Sequence, residues 1–223
     1  MDQLATYWKL VSSPFIQTIQ MVAFSTLFSV ILGLPIGVLL YITDSEEKGG
    51  ILPKPMLNAV LSRIVNILRS FPFIILMILI MPLSRIILGT AIGTKATIIP
   101  LSIAAAPFVA RVIESAIREV DPGVVQAAKA MGSTNWQIVY KVLIPEAMPS
   151  LVSGITLTII NLIGYSAMAG AIGGGGLGDL AIRYGYQRFR SDIMIITVVI
   201  IILLVEIIQL VGNKIAAKMI SKR

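Results

Sequence analysis

Apolar runs long enough to cross a bilayer alternate along this chain with short polar stretches. The first run, residues 14–43, has no charge between Lys9 and Asp44, and Pro35 and Gly37 are placed to bend it. The second covers 62–84 with Arg69 inside it, and the third covers 91–113 with Pro100 and Pro107. The fourth, 145–172, fades into Gly173-Gly174-Gly175-Gly176, and the fifth, 193–213, carries Glu206 in its second half. Lipid offers no water to satisfy open strand edges, and the runs lack the alternation of barrel strands. The pattern therefore predicts an all-α membrane protein with five transmembrane helices, whose termini lie on opposite sides. A crossing takes about 20 residues, so 1–223 is read as a single transmembrane domain with no room for a second, soluble one. The main irregular connection is 44–57, with Gly49, Gly50, Pro53 and Pro55.

One polar stretch, 121–145, is too polar to span lipid and too regular for a slack loop. Asp121-Pro122 predicts a helix start, with an acceptor at the cap and proline in the first turn, where its missing N–H costs nothing. Val124, Val125, Ala128 and Met131 share one face, and Gly132 suits the stop. Thr134 and Gln137 have capping-box spacing for a second helix carrying Trp136, Val139, Val142 and Leu143, which Pro145 is expected to end. Two readings fit this local physics: a docking element for another protein, or an amphipathic helix pair lying on the headgroups.

Composition narrows the chemistry. The chain is 57% hydrophobic and 13% charged, with a mean hydropathy of +0.92, as an integral membrane protein requires. It has no cysteine and no histidine, which removes thiol nucleophiles, disulfides and the common zinc sites; no metal site is expected. The net charge of +7 is spread beside the apolar runs, which argues against nucleic acid as a partner. Residues 1–13 include Asp2 and Lys9 with no small-residue cleavage site, so the first span is expected to stay in the protein.

Lysine and arginine in short loops tend to remain cytoplasmic. With the N terminus outside, the inner set is Lys48, Lys54, Arg63, Arg111, Arg118, Lys129, Lys141, Lys214, Lys218, Lys222 and Arg223. The outer set is Lys9, Arg85, Lys95, Arg183, Arg188 and Arg190. Eleven against six favours N-out and C-in, which places 121–145 in the cytoplasm.

The run Gln126-Ala127-Ala128, three residues, Gly132, nine residues, Val142, one residue, Ile144-Pro145 resembles the coupling signature of importer-type ABC transporter permeases, Glu-Ala-Ala to Gly to Ile-x-Leu-Pro. Arg69-Ser70-Phe71-Pro72-Phe73, Ala104-Ala105-Ala106-Pro107-Phe108, Gly164-Tyr165-Ser166-Ala167-Met168 and Gly174-Gly175-Gly176-Leu177-Gly178 extend the resemblance to permeases of methionine ABC importers. It implies a type I importer architecture: a homodimer forming the path, two ATPase subunits carrying ATP and Mg, and a methionine-binding lipoprotein outside. The membrane is then the inner (plasma) membrane of a prokaryote. Gln126, Ala127, Ala128, Gly132, Val142, Ile144 and Pro145 would be the coupling residues. The chain departs from the signature at Gln126, where glutamate is usual, so any ion pair made there is lost.

No Gly-x-x-x-x-Gly-Lys-Ser/Thr run occurs, so this chain is not expected to hydrolyse ATP or to bind a cofactor itself. The run at Gly173 has no following lysine and reads as a turn or a close helix contact rather than a phosphate cradle. Arg69 and Glu206 are intramembrane charges, functional by default. They form an ion pair or a shared polar network linking the second and fifth spans, with Gln209 and Asn213 on the face of Glu206, or else Arg69 snorkels or bonds helix carbonyls and Glu206 meets water. Tyr165, Ser166 and Met168 are candidates for the path, with Met168 a gate or simply packing. Asp179, Arg183, Arg188 and Arg190 with Tyr184, Tyr186 and Phe189 fit a binding-protein dock or interfacial anchoring. Rival functions are the same architecture carrying another small polar solute, or a secondary transporter, which would call for an acidic or histidine relay.

Overall fold

The structure is a computed structural model that describes residues 2–221, with side chains from residue 7 onward. Lys222 and Arg223, counted among the inner cations, and the side chain of Asp2 lie outside the described residues. Described residues form helices and no strand. In chain order these are α1 (Asp2–Ile42), α2 (Pro55–Ser70), α3 (Phe73–Leu88), α4 (Thr94–Arg118) and α5 (Pro122–Ala130). Then come α6 (Asn135–Ile138), a π-helical stretch (Val139–Leu143), α7 (Ile144–Ala171), α8 (Gly176–Leu180), a second π-helical stretch (Ala181–Tyr186) and α9 (Ser191–Ile220). Four helical stretches are long and apolar enough to cross a membrane, or five if the bent pair α2–α3 is one span.

Three expectations are corrected. The second span is not one helix over 62–84: it breaks at Phe71-Pro72, because proline has no N–H to donate and biases the residue before it away from helical backbone. The third and fifth spans run on to Arg118 and Ile220, where polar residues extend helices whose apolar parts are shorter. Pro145 does not end the second helix of the polar stretch. It lies in the first turn of α7, directly after Val139–Leu143, and Asn135–Ala171 is one helical stretch. Proline tolerates a first turn, and the wider π coil ahead of it relaxes the i−4 packing that makes proline a helix breaker.

The chain divides into two compact units, each drawn from three stretches. One comprises Met1–Phe28, Phe71–Ala105 and Thr158–Gln209. Its core gathers Met21, Val22, Leu101, Ala105, Leu162 and Ile163, and a second cluster joins Val11, Leu177, Leu180 and Ile193. Pro100 leaves the carbonyl of Ala96 without its helical donor, and the buried Ser84 hydroxyl donates to that oxygen at 2.8 Å.

The other unit comprises Ser29–Ser70, Ala106–Leu157 and Leu210–Arg223. Here Gly33 and Gly37 bring α1 against α4: a Cβ on Gly37 would lie 2.5 Å from the Ala110 carbonyl oxygen. The helix is continuous through Pro35 and Gly37, so this glycine serves close approach. The core beneath the polar stretch includes Val38, Ile113, Ile117, Ile138 and Leu143. The 44–54 connection is held by a short 3-10 turn, Glu46–Lys48, and by Asn58, whose amide donates to the Leu40 carbonyl at 2.6 Å.

Candidate functional site

Each end of the 121–145 segment is closed by its own sequence. Asp121 Oδ1 accepts from the Gly123 N–H at 2.7 Å, which caps α5 at its first turn. At the other end Gly132 N–H donates to the Lys129 carbonyl and Ser133 N–H to the Ala128 carbonyl, with Gly132 at φ +79°. This is a Schellman motif, and the left-handed residue it needs is the glycine. Thr134 and Gln137 form the expected capping box: Gln137 Oε1 accepts from the Thr134 N–H at 2.8 Å, and the Thr134 hydroxyl accepts from the Gln137 N–H at 3.4 Å.

The expected single apolar face divides in two. Val125 and Ala128 of α5, with Ile138, Val139 and Leu143, are buried in the core of their own unit. Val124, Met131, Trp136 and Tyr140 point outward, the last three more than 70% exposed. Gln126, Ala127, Gly132 and Pro145 are exposed, whereas Val142 and Ile144 are half-buried. Gln126 lines a cavity of about 590 Å³ with Tyr41, Glu46, Glu47 and Lys129.

The segment stands beside an ion-pair network that the sequence pattern was not read for. Glu114, only 5% exposed, accepts from Arg111 at 2.6 Å and from Arg118 at 2.7 Å, and Arg118 also pairs with Asp44. Burial pushes the Asp44 carboxyl up, but the Arg118 guanidinium, the Ser45 N–H and Lys48 together hold it below the usual carboxylate range. The i, i+3 and i, i+4 spacing of Arg111, Glu114 and Arg118 was the available signal.

In the first-described unit the glycine run is a packed turn. Gly173 and Gly174 N–H groups donate to the Gly170 and Ala169 carbonyls, another Schellman motif, and a Cβ on Gly178 would lie 2.3 Å from the Ala167 backbone. Gln17 Oε1 and Thr18 Oγ1 accept from the N–H groups of Gly176 and Leu177, each at 2.8 Å, which satisfies the start of α8.

The candidate path residues lie in the last two turns of α7. Tyr165 stacks on Phe73 with ring centroids 3.9 Å apart, and the buried Ser166 hydroxyl donates to its own helix at Ile163. Met168 is half exposed. The expected loop after the glycines is largely helical, and Asp179 pairs with Arg183 while Arg190 makes two bonds to Asp192. The ion pairs raise Arg183 and Arg190 above the ordinary guanidinium value. Arg188 lies over the Tyr184 ring at 4.4 Å, and Tyr186 and Phe189 are exposed. Arg69 and Glu206 belong to different units; both are exposed. Among the described residues, no group of three or more acidic residues is placed to hold a metal ion.

Helices of this length, four or five of them apolar enough to cross a bilayer, define a multi-pass helical membrane protein. Residues 33–220 match the family described as the binding-protein-dependent transport system inner membrane component, and the chain belongs to that family. The chain is 52% identical over 197 residues to the probable D-methionine transport system permease protein MetI of Vibrio cholerae, covering 88% of this chain and 86% of the relative. It is 48% identical over 185 residues to the methionine import system permease protein MetP of Bacillus subtilis, covering 83% and 82%. The fold superposes on a chain of the MetNI methionine ABC transporter, solved in an inward-facing conformation, with a TM-score of 0.91 and 45% identity, covering 94% of this chain and 96% of that one. The architecture is that of a type I importer permease.

Proposed function

We propose that this chain is the membrane subunit of an ATP-driven methionine importer. Two copies form the path, and residues 121–145 dock on separate ATPase subunits that bind ATP and Mg. The chain itself is non-catalytic. A methionine-binding lipoprotein delivers substrate on the outer side, the N terminus faces outside and the C terminus the cytoplasm. Gln126, Ala127, Ala128, Gly132, Val142, Ile144 and Pro145 shape the dock; Tyr165, Ser166 and Met168 belong to the path or its gate; Arg69 and Glu206 are functional charges within the spans.

The observation that carries the docking reading is the exposed set Met131, Trp136 and Tyr140 on a segment whose other face is already buried. A capped, well-packed element that still leaves large apolar side chains outward offers anchors for a partner. Closure of the ATPase pair would then move two rigid permeases against each other.

The test is reconstitution in proteoliposomes with the cognate ATPase and binding protein, followed by ATP-dependent uptake of labelled methionine. Uptake of another amino acid and not of methionine overturns the substrate; uptake without any ATPase overturns the class.

A further inference from the structure

Beside the ion-pair network is a cavity of about 410 Å³, lined by Arg69, Phe108, Arg111, Val112, Glu114, Ser115 and Arg118, all in one unit. Its charges do not balance. Glu114 is occupied on both oxygens by Arg111 and Arg118, and Arg118 also holds Asp44. Arg111 further donates to Ser62 Oγ at 2.6 Å and Asn66 Oδ1 at 2.9 Å, while its Nε is buried without a partner. Arg69 makes no hydrogen bond or ion pair among the described residues. Three guanidinium groups thus meet two carboxylates, and the unneutralised one is Arg69, on a helix of the bent membrane pair. Arg69 stands in the last turn of α2, beside the break into α3, and an unpaired guanidinium there faces water or an anion; its planar fork matches a carboxylate. Phe108 and Val112 supply an apolar wall in the same cavity.

We propose that this cavity is a stepping site for the transported amino acid, with Arg69 binding its α-carboxylate and Phe108 and Val112 receiving its apolar side chain. Glu114 holds Arg111 and Arg118 in place and, with both oxygens occupied, does not compete for Arg69. The proposal rests on the importer reading above and adds to it where the substrate's charge is met.

The chain has no cysteine, so Ser115→Cys puts a single thiol at the cavity. In the complex with ATPase and binding protein, saturating L-methionine slows its labelling by a water-soluble maleimide about threefold or more. Methioninol, which keeps the ammonium group and lacks the carboxylate, leaves the rate unchanged, and Arg69→Gln abolishes the protection by methionine. Independently of the thiol, Arg69→Gln lowers uptake per ATP about tenfold, with Arg69→Lys between it and wild type. Equal protection by methioninol and methionine, no protection by methionine, or undiminished uptake per ATP in Arg69→Gln overturns the site. Wild-type vesicles judge the importer reading separately: if they accumulate a different amino acid, the same labelling with that amino acid and its alcohol decides the carboxylate site.

Discussion

Gly132 and Gly173 end their helices with the same hydrogen-bond pattern at nearly the same backbone angle, φ +79° and +93°, yet the chain beyond them does opposite things. After Gly132 comes a capping box and open space: a Cβ there meets nothing within 4 Å. After Gly173 come Gly174, Gly175 and Gly176, where a Cβ would come within 2.9 Å of another atom at each position. The first turn uses glycine for its backbone angle. The second uses glycines for both angle and space, which makes it a packed turn, whereas the segment around Gly132 leaves its outer surface exposed.

This contrast breaks most visibly at Gly178→Ala. The added methyl would sit 2.3 Å from the Ala167 backbone, which cannot give way as a side-chain end can. The expected cost is about 3 kcal/mol or more, seen as loss of folded protein or a sharply lower melting temperature of the purified complex. An unchanged melting temperature would show the turn to be looser than described.

Gly132→Val should cost less stability, about 1–2 kcal/mol for a β-branched residue in left-handed backbone. Its larger effect falls on coupling, so uptake per ATP hydrolysed drops while the permease still folds. Gly132→Asn, which tolerates that backbone, should recover most of the loss. If valine and asparagine behave alike, backbone angle is not what the position supplies.

Trp136→Ala removes a side chain that is 77% exposed, so permease stability should shift by less than about 0.5 kcal/mol. Affinity for the ATPase should nevertheless fall about tenfold or more, measured by titrating labelled ATPase onto the permease in nanodiscs. Retained affinity would return the segment to a role on the headgroups. Gln126→Glu is the mildest change, expected within about 0.5 kcal/mol in stability and leaving uptake nearly unaltered, because the position is exposed and glutamate has the same length.

Much of the 121–145 segment was legible because its signals are short-range. The Asp121 cap, the Gly132 stop and the Thr134–Gln137 box each join atoms two to five residues apart, and all three formed as the spacing predicts. Pro145 was misread by the same local logic, since a proline after a polar helix looks like an ending. The π coil of Val139–Leu143 carries the helix past it and leaves no mark in apolar periodicity. The break at Phe71-Pro72 had a local signal in its proline, overridden by the hydrophobicity of 62–84 around it.

The sequence by itself determined the apolar spans and the helix caps, because each depends on side-chain transfer into lipid or on bonds between near neighbours. Tertiary structure alone decided which half of the α5–α6 apolar face is buried, why Gly170, Gly174 and Gly178 have no room for a side chain, and that Arg69 opens into the cavity of Arg111 and Glu114. Those facts rest on how closely separate parts of the chain approach one another, where an ångström sets the outcome and apolar periodicity carries no record of it.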